Sequence, residues 1–583
     1  MTMHGFRSDT SVQRAIDTLA RLSDGEHIPG DEGRSATLDT LAVLVCDCLA
    51  SAQISDPDRE ILFLRARLIN ALLFDRQRPE TSLLSPLATL DDPNLHDIQD
   101  LSRLPEPWAL LKTLSLLTTF PVLTEQGSAR RDAILSKADL LTTHDLPHSW
   151  PAAVLMSWAW MFCSYATSPV RHKLKPVLNA IINRWLARAG IQIASSPRRL
   201  ASRPRLVVIA EVLKSAHVQY RYFARYLRQL RRRFEVIIAA PTEQFDDFNR
   251  ALADGVIHLS ISDPQGVSTA SRAIQEADPD VVFWPSVGMA TWGPFLANLR
   301  FAPVQLAALG HSASTFSAAI DYFLTEEGYV SDPSLFSEVL LVLPDDSLKF
   351  EASPGALHLA PSIRVNPSTL RVAVASNALK LSPRFLEIVE TIDKSARRAL
   401  HFVLFPNARP IQTDAIARVV AKSLRSVDVM PRMDHNDYIQ ALSQCDMTLS
   451  SFPFGGLHST IDSLSLGLPV VALQGSQPHE RTDSLIIRRL GLPGWLIALN
   501  ESDYVRASLR LAHDDNERIT LSQAAVNATP SEAFCGSYAP EYKTAVADAV
   551  WTAYCHHERI QASNVRLWRL QSLLDLPQPR GAV

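Results

Sequence analysis

The segment Cys445–Val471, CDMTLSSFPFGGLHSTIDSLSLGLPVV, holds the pattern that decides the fold. Its apolar run Cys445–Leu449 predicts a buried strand, and Leu457–Leu466 has the periodicity of an amphipathic helix. Gly455 and Gly456 lie between the two, so the order is strand, glycine turn and helix start. This order is typical of an α/β core.

The same turn is a candidate anion site. Backbone N–H groups at a helix start attract anions, and glycines let a phosphate come close to the backbone. His458 and Ser459 follow the glycines, and Asp462 lies about one helical turn further, where a carboxylate can accept hydrogen bonds from sugar hydroxyls. The segment predicts a pocket for a phosphorylated, sugar-bearing ligand, and a plain strand-turn-helix explains it equally well.

Length and composition indicate a multidomain globular protein. The chain has 583 residues, which suggests about three domains. Hydrophobic residues make up 46% and charged residues 20%, and the net charge is −4. The basic triplet Arg231–Arg233 continues an amphipathic helix, Tyr220–Phe234, and reads as a solvated face. Charge therefore gives no reason to expect nucleic acid or a membrane surface as partner.

Cysteine usage and the apolar stretches predict a cytoplasmic location. The six cysteines are scattered without a CxxC pair, as expected of a reducing compartment. The N-terminal MTMHGFRSDT lacks the pattern of a secretory signal. The apolar stretch Trp150–Phe162 is shorter than the roughly 18 residues needed to span a bilayer, so we expect a buried helix there and no membrane span.

Periodicity divides the chain into three domains. Residues 1–200 are predicted to be all-helical, residues 201–365 to form a Rossmann-like domain, and residues 366–583 to form a second one, with a helical tail at Glu541–Leu574. The helices predicted for the first domain are Val12–Leu22, Leu38–Ala52, Ile61–Leu73, Trp108–Leu117, Ala133–Leu141 and Leu174–Leu186.

Short β-rich runs alternate with helical periodicity after residue 204, which implies βαβ units and parallel sheets. The strands predicted for the second domain are Leu206–Ala210, Glu235–Ala240, Val256–Leu259, Val281–Trp284, Val304–Leu309 and Val339–Leu343. Those predicted for the third domain are Val372–Ala375, Phe402–Phe405, Val427–Met430, Met447–Leu449, Val470–Leu473 and Trp495–Ala498.

Motifs for common cofactors are missing from the sequence. Neither GxGxxG nor GxxxxGK[ST] occurs, which argues against an ordinary dinucleotide site and a P-loop. No DxD pair stands in a loop suited to Mg²⁺, and Cys555-His556-His557 lacks a second pair of ligands, so we expect no metal. Two doubly wound domains without these motifs fit a nucleotide-sugar glycosyltransferase with its ligand in the cleft.

Four strings follow the order and spacing of one family. They are LRFAPVQLAALGHSAST (Leu299–Thr315), SNALKLSP (Ser376–Pro383), the opening segment Cys445–Val471 and HERTDSLIIRRLGLPGWLIA (His479–Ala498). Over about residues 204–518 the chain resembles glycosyltransferase family 41, in particular the bacterial cytoplasmic N-glycosyltransferases that modify adhesins, and more distantly the O-GlcNAc transferases. The resemblance implies a GT-B fold of two tandem Rossmann-like domains preceded by an all-helical domain. It also implies that residues 201–365 form the acceptor side and residues 366–583 the UDP-sugar side.

The resemblance also implies roles for single residues. Lys380 falls where a lysine contacts the donor pyrophosphate, and Asp462 where a carboxylate holds the ribose. Tyr438 matches a ring that stacks near the uracil, and a core position explains it equally well. His217 and His311 resemble pocket histidines at strand ends and are the candidate catalytic residues and general bases. The implied donor-binding set is Lys380, Tyr438, Gly455, Gly456, His458, Ser459 and Asp462.

Three positions depart from the N-glycosyltransferase pattern. His458 stands where asparagine is expected, and this bears on the donor sugar. Phe223 and Ala290 each stand where a histidine is usual, on the expected acceptor side. These departures bear on acceptor type and on whether activity is retained.

The resemblance implies an inverting, metal-independent transfer of a hexose, with glucose preferred, from a UDP-sugar to asparagine in Asn-X-Ser/Thr segments of an adhesin-like protein. The UDP-sugar is a co-substrate, and no cofactor is expected. Two alternatives stay open beside this. One is O-linked transfer of glucose or GlcNAc to Ser/Thr, and the other is a catalytically silent UDP-binding relative that acts as an interaction module.

Overall fold

The computed structural model describes residues 90–91, 107–193, 197, 201–352 and 359–577. The chain divides into two compact units, residues 1–189 and 190–583. In the described residues no helix combines the length and apolar character needed to cross a membrane. Three predicted helices, Val12–Leu22, Leu38–Ala52 and Ile61–Leu73, lie outside the described residues.

The described part of the first unit is helical, as predicted. Its core buries Trp160 and Trp185, and the Trp160 indole donates a hydrogen bond to Asn179 Oδ1 at 3.0 Å. The predicted single helix Ala133–Leu141 is wrong, because Lys137 leaves helical geometry (φ −106°, ψ 18°) and Ala138–Leu141 is a 3₁₀ turn. The helices are α1 (Trp108–Leu117), α2 (Glu125–Ser136), α3 (Trp150–Phe162) and α4 (Leu174–Arg188).

The second unit begins with a sheet in which the described strands all pair in parallel. In the described residues its strand order is β14-β7-β6-β5-β4-β1-β2-β3. The strands are β1 (Arg205–Ile209), β2 (Glu235–Pro241), β3 (Gly255–Leu259), β4 (Val281–Trp284), β5 (Val304–Ala308), β6 (Tyr322–Glu326), β7 (Val339–Leu343) and β14 (Leu567–Arg569). The helices between them are α5 (Val218–Leu230), α6 (Asp247–Arg250), α7 (Pro264–Glu276) and α8 (Gly293–Leu296).

The second sheet is also parallel, with the order β10-β9-β8-β11-β12-β13 in the described residues. Its strands are β8 (Thr369–Val374), β9 (Ala399–Leu404), β10 (Val427–Val429), β11 (Met447–Leu449), β12 (Val470–Leu473) and β13 (Ile497–Ala498). Its helices are α9 (Pro383–Ser395), α10 (Pro410–Ser423), α11 (His435–Leu442), α12 (His458–Ser465), α13 (Thr482–Arg489), α14 (Glu501–His513), α15 (Asp515–Asn527) and α16 (Pro530–Cys535).

The tail returns to the first sheet, which the sequence did not indicate. It contains helices α17 (Ala545–Cys555), α18 (His557–Ala562) and α19 (Leu570–Leu574), but β14 interrupts the helical tail predicted for Glu541–Leu574. β14 pairs in parallel with β7, with Leu567 opposite Leu340. The predicted strand Trp495–Ala498 is also shorter than expected, because Gly494–Leu496 forms a 3₁₀ turn.

A buried ion pair links the two sheets. Glu326, at the end of β6, accepts a hydrogen bond from Arg489 of α13 at 2.6 Å and another from the Leu348 N–H at 2.9 Å. Burial raises the pKa of Glu326, and Arg489 opposes the rise. Strand β6 was not predicted, because Thr325 and Glu326 break its apolar run. The pair fixes the loops at the carboxyl end of the first sheet against the second.

We expect Arg489→Met to lower the free energy of unfolding by about 3 kcal/mol, because it leaves the buried Glu326 carboxylate without a counter-charge. Urea denaturation of the full chain measures this. The double variant Glu326→Gln/Arg489→Met should be less destabilised than the single one. The exposed neighbour Arg488→Met is the control and should stay within about 0.5 kcal/mol of wild type. Equal stability of the Arg489 and Arg488 variants would contradict the assignment.

Candidate functional site

The glycine turn between β11 and α12 is the centre of the site. It occupies Phe452–Leu457, and Leu457 adopts φ 58° and ψ −93° immediately before the helix. A Cβ on Gly455 would lie 2.5 Å from Thr482 Oγ1 and 2.6 Å from Asp483 Oδ2. Glycine is therefore needed here for the close approach of α13, a protein contact that the sequence did not reveal.

Asp483 holds the turn in place. Its carboxylate accepts hydrogen bonds from the backbone N–H groups of Gly456 at 2.7 Å and Leu457 at 2.8 Å. The hydroxyls of Thr460, at 2.8 Å, and Ser450 also donate to it. These four close donors and a longer one, the Thr482 hydroxyl at 3.4 Å, converge on one buried carboxylate, so the turn has little freedom to rearrange.

These contacts correct the predicted anion site. The Gly456 amide donates to Asp483, and the Gly455 amide donates to the His479 carbonyl at 3.0 Å, so neither glycine N–H points to an open position. His458 and Ser459 are the first two residues of α12, where backbone N–H groups have no acceptor within the helix. The expected anion-binding donors are therefore the amides of His458 and Ser459.

Lys380 lies directly at this turn, as the resemblance implied. It ends a 3₁₀ turn after β8, and its Nζ donates to the Gly455 carbonyl at 2.5 Å and lies 5.0 Å from the centre of the Phe454 ring. Burial lowers the pKa of Lys380 to about 8, and Asp483 opposes the shift. The ammonium has three N–H donors. One binds Gly455, which leaves two for an anion beside the start of α12.

Asp462 lies on the second turn of α12. Burial raises the pKa of its carboxyl to about 6, and Arg221 of α5 acts in the opposite direction. Its side chain accepts no hydrogen bond from the residues that the structure describes. A half-buried carboxylate with open acceptor sites suits a ligand that brings hydroxyl groups, such as a ribose.

Tyr438 packs into the core of the second sheet. Its ring meets Phe405 edge to face at 5.5 Å between centroids and borders the cluster that includes Ile439 and Leu442. Its hydroxyl is buried without a hydrogen-bond partner, and burial, together with the charge of Asp462, raises the pKa of this phenol. The geometry therefore favours a structural role for the ring, in the core of the second sheet. The hydroxyl, near Asp462, is the polar part of the side chain.

His458 is buried, with 8% of its surface exposed, and neither ring nitrogen has a hydrogen-bond partner. Its ring packs against Phe350 at 4.9 Å and meets Tyr222 edge to face at 6.2 Å. Burial, with help from the nearby charge of Arg221, lowers the pKa of His458 well below its usual value. The side chain is therefore a neutral imidazole with one unused donor and one unused acceptor.

The two predicted catalytic histidines lie on adjoining loops of the first sheet. His217 caps α5, and His311 follows β5. Gln219, in the first turn of α5, donates to the Gly310 carbonyl at 2.9 Å. A Cβ on Gly310 would lie 2.6 Å from Gln219 Oε1, so glycine permits this approach. The His311 loop also meets the donor turn, because His479 Nδ1 lies 3.1 Å from the Ser312 carbonyl oxygen.

The hydrogen bonding of His217 defines its tautomer. Its Nδ1 accepts from the Gln219 N–H at 3.2 Å, so in the neutral ring the proton is on Nε2. Burial lowers the pKa of this imidazole, which favours the neutral form. His217 therefore presents a donor at Nε2, and this geometry argues against the general-base role that we considered from the sequence.

Two of the departures are explained by their surroundings. Phe223 is fully buried among Tyr226 and Phe283, at 5.1 and 6.1 Å between ring centroids, so it does not border an acceptor. Ala290 belongs to a loop whose N–H groups at 288–290 bind Glu211, at 2.9, 3.0 and 3.2 Å. Burial raises the pKa of Glu211 to about 7, against the effect of these hydrogen bonds.

Asp483, Arg221 and Glu211 were not among the predicted site residues. Asp483 lies in the quoted string HERTDSLIIRRLGLPGWLIA, and Arg221 follows His217 by one helical turn. In the described ranges no group of three or more His, Cys, Asp or Glu side chains could hold a metal ion.

Known proteins resemble both units. Residues 94–186 match the family model described as HMW1 domain 2. The chain is 33% identical over 384 residues to a UDP-glucose:protein N-beta-glucosyltransferase of Actinobacillus pleuropneumoniae serotype 5b, and the match covers 62% of this chain and 59% of that protein. The chain is therefore similar to protein glucosyltransferases of glycosyltransferase family 41. This confirms the resemblance predicted from the sequence.

More distant matches agree with this placement. A probable SPINDLY UDP-N-acetylglucosamine–peptide N-acetylglucosaminyltransferase of Arabidopsis thaliana is 28% identical over 274 residues, which cover 44% of this chain and 29% of that one. A mutant O-GlcNAc transferase of Thermobaculum terrenum superposes with a TM-score of 0.59 at 16% identity, over 95% of this chain and 100% of that one. The superposition confirms the predicted GT-B fold.

We expect Asp483→Ala to destabilise the protein by about 3 kcal/mol, because four donors lose a buried acceptor. UDP affinity should also fall, because the start of α12 is no longer held. Urea denaturation and titration calorimetry measure the two effects. Asp437→Ala, at an exposed position on α11, is the matched control. Unchanged stability together with unchanged UDP binding in Asp483→Ala would show that the carboxylate does not hold the turn.

Uridine affinity should depend on the ionisation of Asp462. With a pKa of about 6, the carboxyl is ionised at pH 7 and about nine-tenths protonated at pH 5, so affinity should fall about tenfold between these values. The free energy of unfolding changes in the opposite direction. Because the raised pKa means that the folded state binds the proton more tightly than the unfolded state, the contribution of Asp462 to stability increases as the pH falls from about 6 to about 4. Calorimetry with uridine, which lacks phosphates, isolates the effect, and Asp462→Asn should abolish it.

Proposed function

We propose that this chain is a UDP-hexose-dependent protein glycosyltransferase that transfers a hexose, preferably glucose, to asparagine side chains. The observation that carries the proposal is the contact of Lys380 Nζ with the Gly455 carbonyl at 2.5 Å. It places an ammonium group beside the two open amides at the start of α12, with Asp462 one turn further on. A cation, helix amides and a carboxylate suit a diphosphate joined to a ribose.

The proposed chemistry is a direct displacement at the anomeric carbon. The bond from this carbon to the β-phosphate oxygen breaks, a bond to the acceptor nitrogen forms, and the nitrogen loses a proton. Negative charge increases on the departing UDP. The Lys380 ammonium and the amides of His458 and Ser459 would stabilise that charge as preorganised donors. Displacement inverts the centre, in agreement with the β linkage in the name of the Actinobacillus relative.

The acceptor side is assigned to the carboxyl end of the first sheet. The loops of His217 and His311 meet there, and the His311 loop contacts the donor side through His479. An amide nitrogen is a poor nucleophile, so the site must rely on orientation and on polarising the amide. His217, protonated at Nε2, would donate to the carbonyl oxygen of the acceptor amide or to a sugar hydroxyl.

The acceptor segment and the cellular location are assigned from the similarity to known proteins and from the sequence. Asparagine in Asn-X-Ser/Thr segments of an adhesin-like protein is the acceptor suggested by the resemblance and by the relative's printed activity. The scattered cysteines support a cytoplasmic location. No cofactor besides the UDP-sugar co-substrate is assigned.

O-linked transfer of GlcNAc to Ser/Thr is the second candidate, favoured by the similarity to the SPINDLY protein. A third outcome is a silent relative, to which the histidine at position 458 would contribute. Incubation of the full chain with UDP-glucose, UDP-galactose or UDP-GlcNAc and an Asn-X-Ser/Thr peptide, followed by mass spectrometry with site localisation, separates these. Hexose on asparagine supports the proposal, HexNAc on Ser/Thr replaces it, and UDP binding without any transfer overturns it.

We expect Lys380→Ala to weaken UDP binding by about 10- to 100-fold, because one charged hydrogen-bonding partner is lost. Transfer should fall at least as far, since the lysine also stabilises the leaving group. Lys394→Ala, at an exposed position on α9, is the control and should leave both unchanged. Calorimetry and peptide glycosylation measure the effects. Undiminished UDP affinity in Lys380→Ala would remove the donor-site assignment.

A further inference from the structure

Arg221 is a cation at the edge of the donor site. It lies on α5, one helical turn after His217, in the half of the unit formed by the first sheet. Its Nε is buried without a hydrogen-bond partner. Among the described residues no carboxylate forms an ion pair with it, unlike Arg225 and Arg228 on the same helix, which both approach Glu351.

The contacts of α5 place Arg221 next to α12. The ring of the following residue, Tyr222, meets the His458 ring at 6.2 Å, and the Arg221 carbonyl accepts from the Glu351 N–H at 2.6 Å. The Phe350 ring also packs against the His458 ring, with 4.9 Å between the ring centroids. Arg221 also influences the pKa values of Asp462, His458 and His435, which all belong to the second-sheet half.

The polar groups around Arg221 suit an anionic ligand. His458 is more than nine-tenths buried with both ring nitrogens unpartnered. Lys380 also acts electrostatically on His458, so two cations from different halves converge on the start of α12. Asp462 acts electrostatically on Arg221, but the two form no ion pair. Asp483 acts in the same way on Lys380, and its oxygens already accept the hydrogen bonds of the turn. A diphosphate offers further acceptor oxygens to both cations.

We propose that Arg221 is a ligand of the donor diphosphate, supplied by the half of the molecule that carries the acceptor histidines. This proposal rests on the proposed function, since it assumes a nucleoside diphosphate at the start of α12. The guanidinium would bind phosphate oxygens that Lys380 and the amides of His458 and Ser459 leave open. Because Arg221 and His217 lie one turn apart on one helix, donor binding would also fix the position of His217.

Calorimetry with UDP and with uridine tests the proposal on the full chain. In Arg221→Gln we expect UDP affinity to fall at least about tenfold while uridine affinity stays within about twofold. Arg221→Lys, which keeps the charge but loses the planar fork, should show an intermediate loss for UDP. Arg232→Gln is the matched control, an exposed arginine just beyond the C-terminal end of the same helix.

Each outcome decides the proposal. Unchanged UDP affinity in Arg221→Gln overturns it, and so does an equal loss for UDP and uridine, which would mean a structural role. If Arg221→Gln does not fold, as judged by circular dichroism, an unchanged ratio of UDP to uridine affinity in Arg221→Lys overturns it instead. Wild-type protein that binds UDP but transfers no sugar would end the proposed function and leave the Arg221 assignment standing.

Discussion

The geometry of the site depends on the carboxylate of Asp483. It accepts hydrogen bonds from two consecutive backbone N–H groups and from two hydroxyls, and so fixes the path of the chain into α12. A helix start attracts anions only if its first N–H groups remain available. Asp483 accepts hydrogen bonds from the Gly456 and Leu457 N–H groups, which precede the helix. The N–H groups of His458 and Ser459, the first two helical residues, are not used by it. The protein thus separates the donors that hold the turn from those that face a ligand.

The second feature of the site is that its charges come from both sheets. Lys380 follows β8 of the second sheet, and Arg221 lies on a helix that packs with the first. The buried pair of Glu326 and Arg489 and the contact of His479 with Ser312 join the same two halves. Because His479 also accepts a hydrogen bond from the Gly455 N–H in the turn before α12, the relative position of the sheets determines which charges a bound anion meets. Ligand binding and the contact between the halves are therefore energetically connected.

Much of this arrangement was predictable from the sequence. Apolar runs gave the bounds of β4, β7, β11 and β12, and the turn with Lys380 beside it followed from the resemblance. The failures have physical causes. β6 ends in a glutamate that is stable in the core only because Arg489 reaches it from far along the chain. The role of Gly455 was misjudged because the group that approaches it, Asp483, is 28 residues away. Periodicity reports which face of an element is buried, and it does not report which long-range partner occupies a backbone donor.

The return of β14 to the first sheet has a consequence for synthesis of the chain. β14 lies next to β7, yet Leu567 and its partner Leu340 are separated by the whole second sheet. A ribosome releases the N-terminal part first, so the edge of β7 is exposed for as long as the second half takes to emerge. An unpaired strand edge is a template for association with other chains. We therefore expect the nascent protein to be most prone to misassembly just before β14 is made.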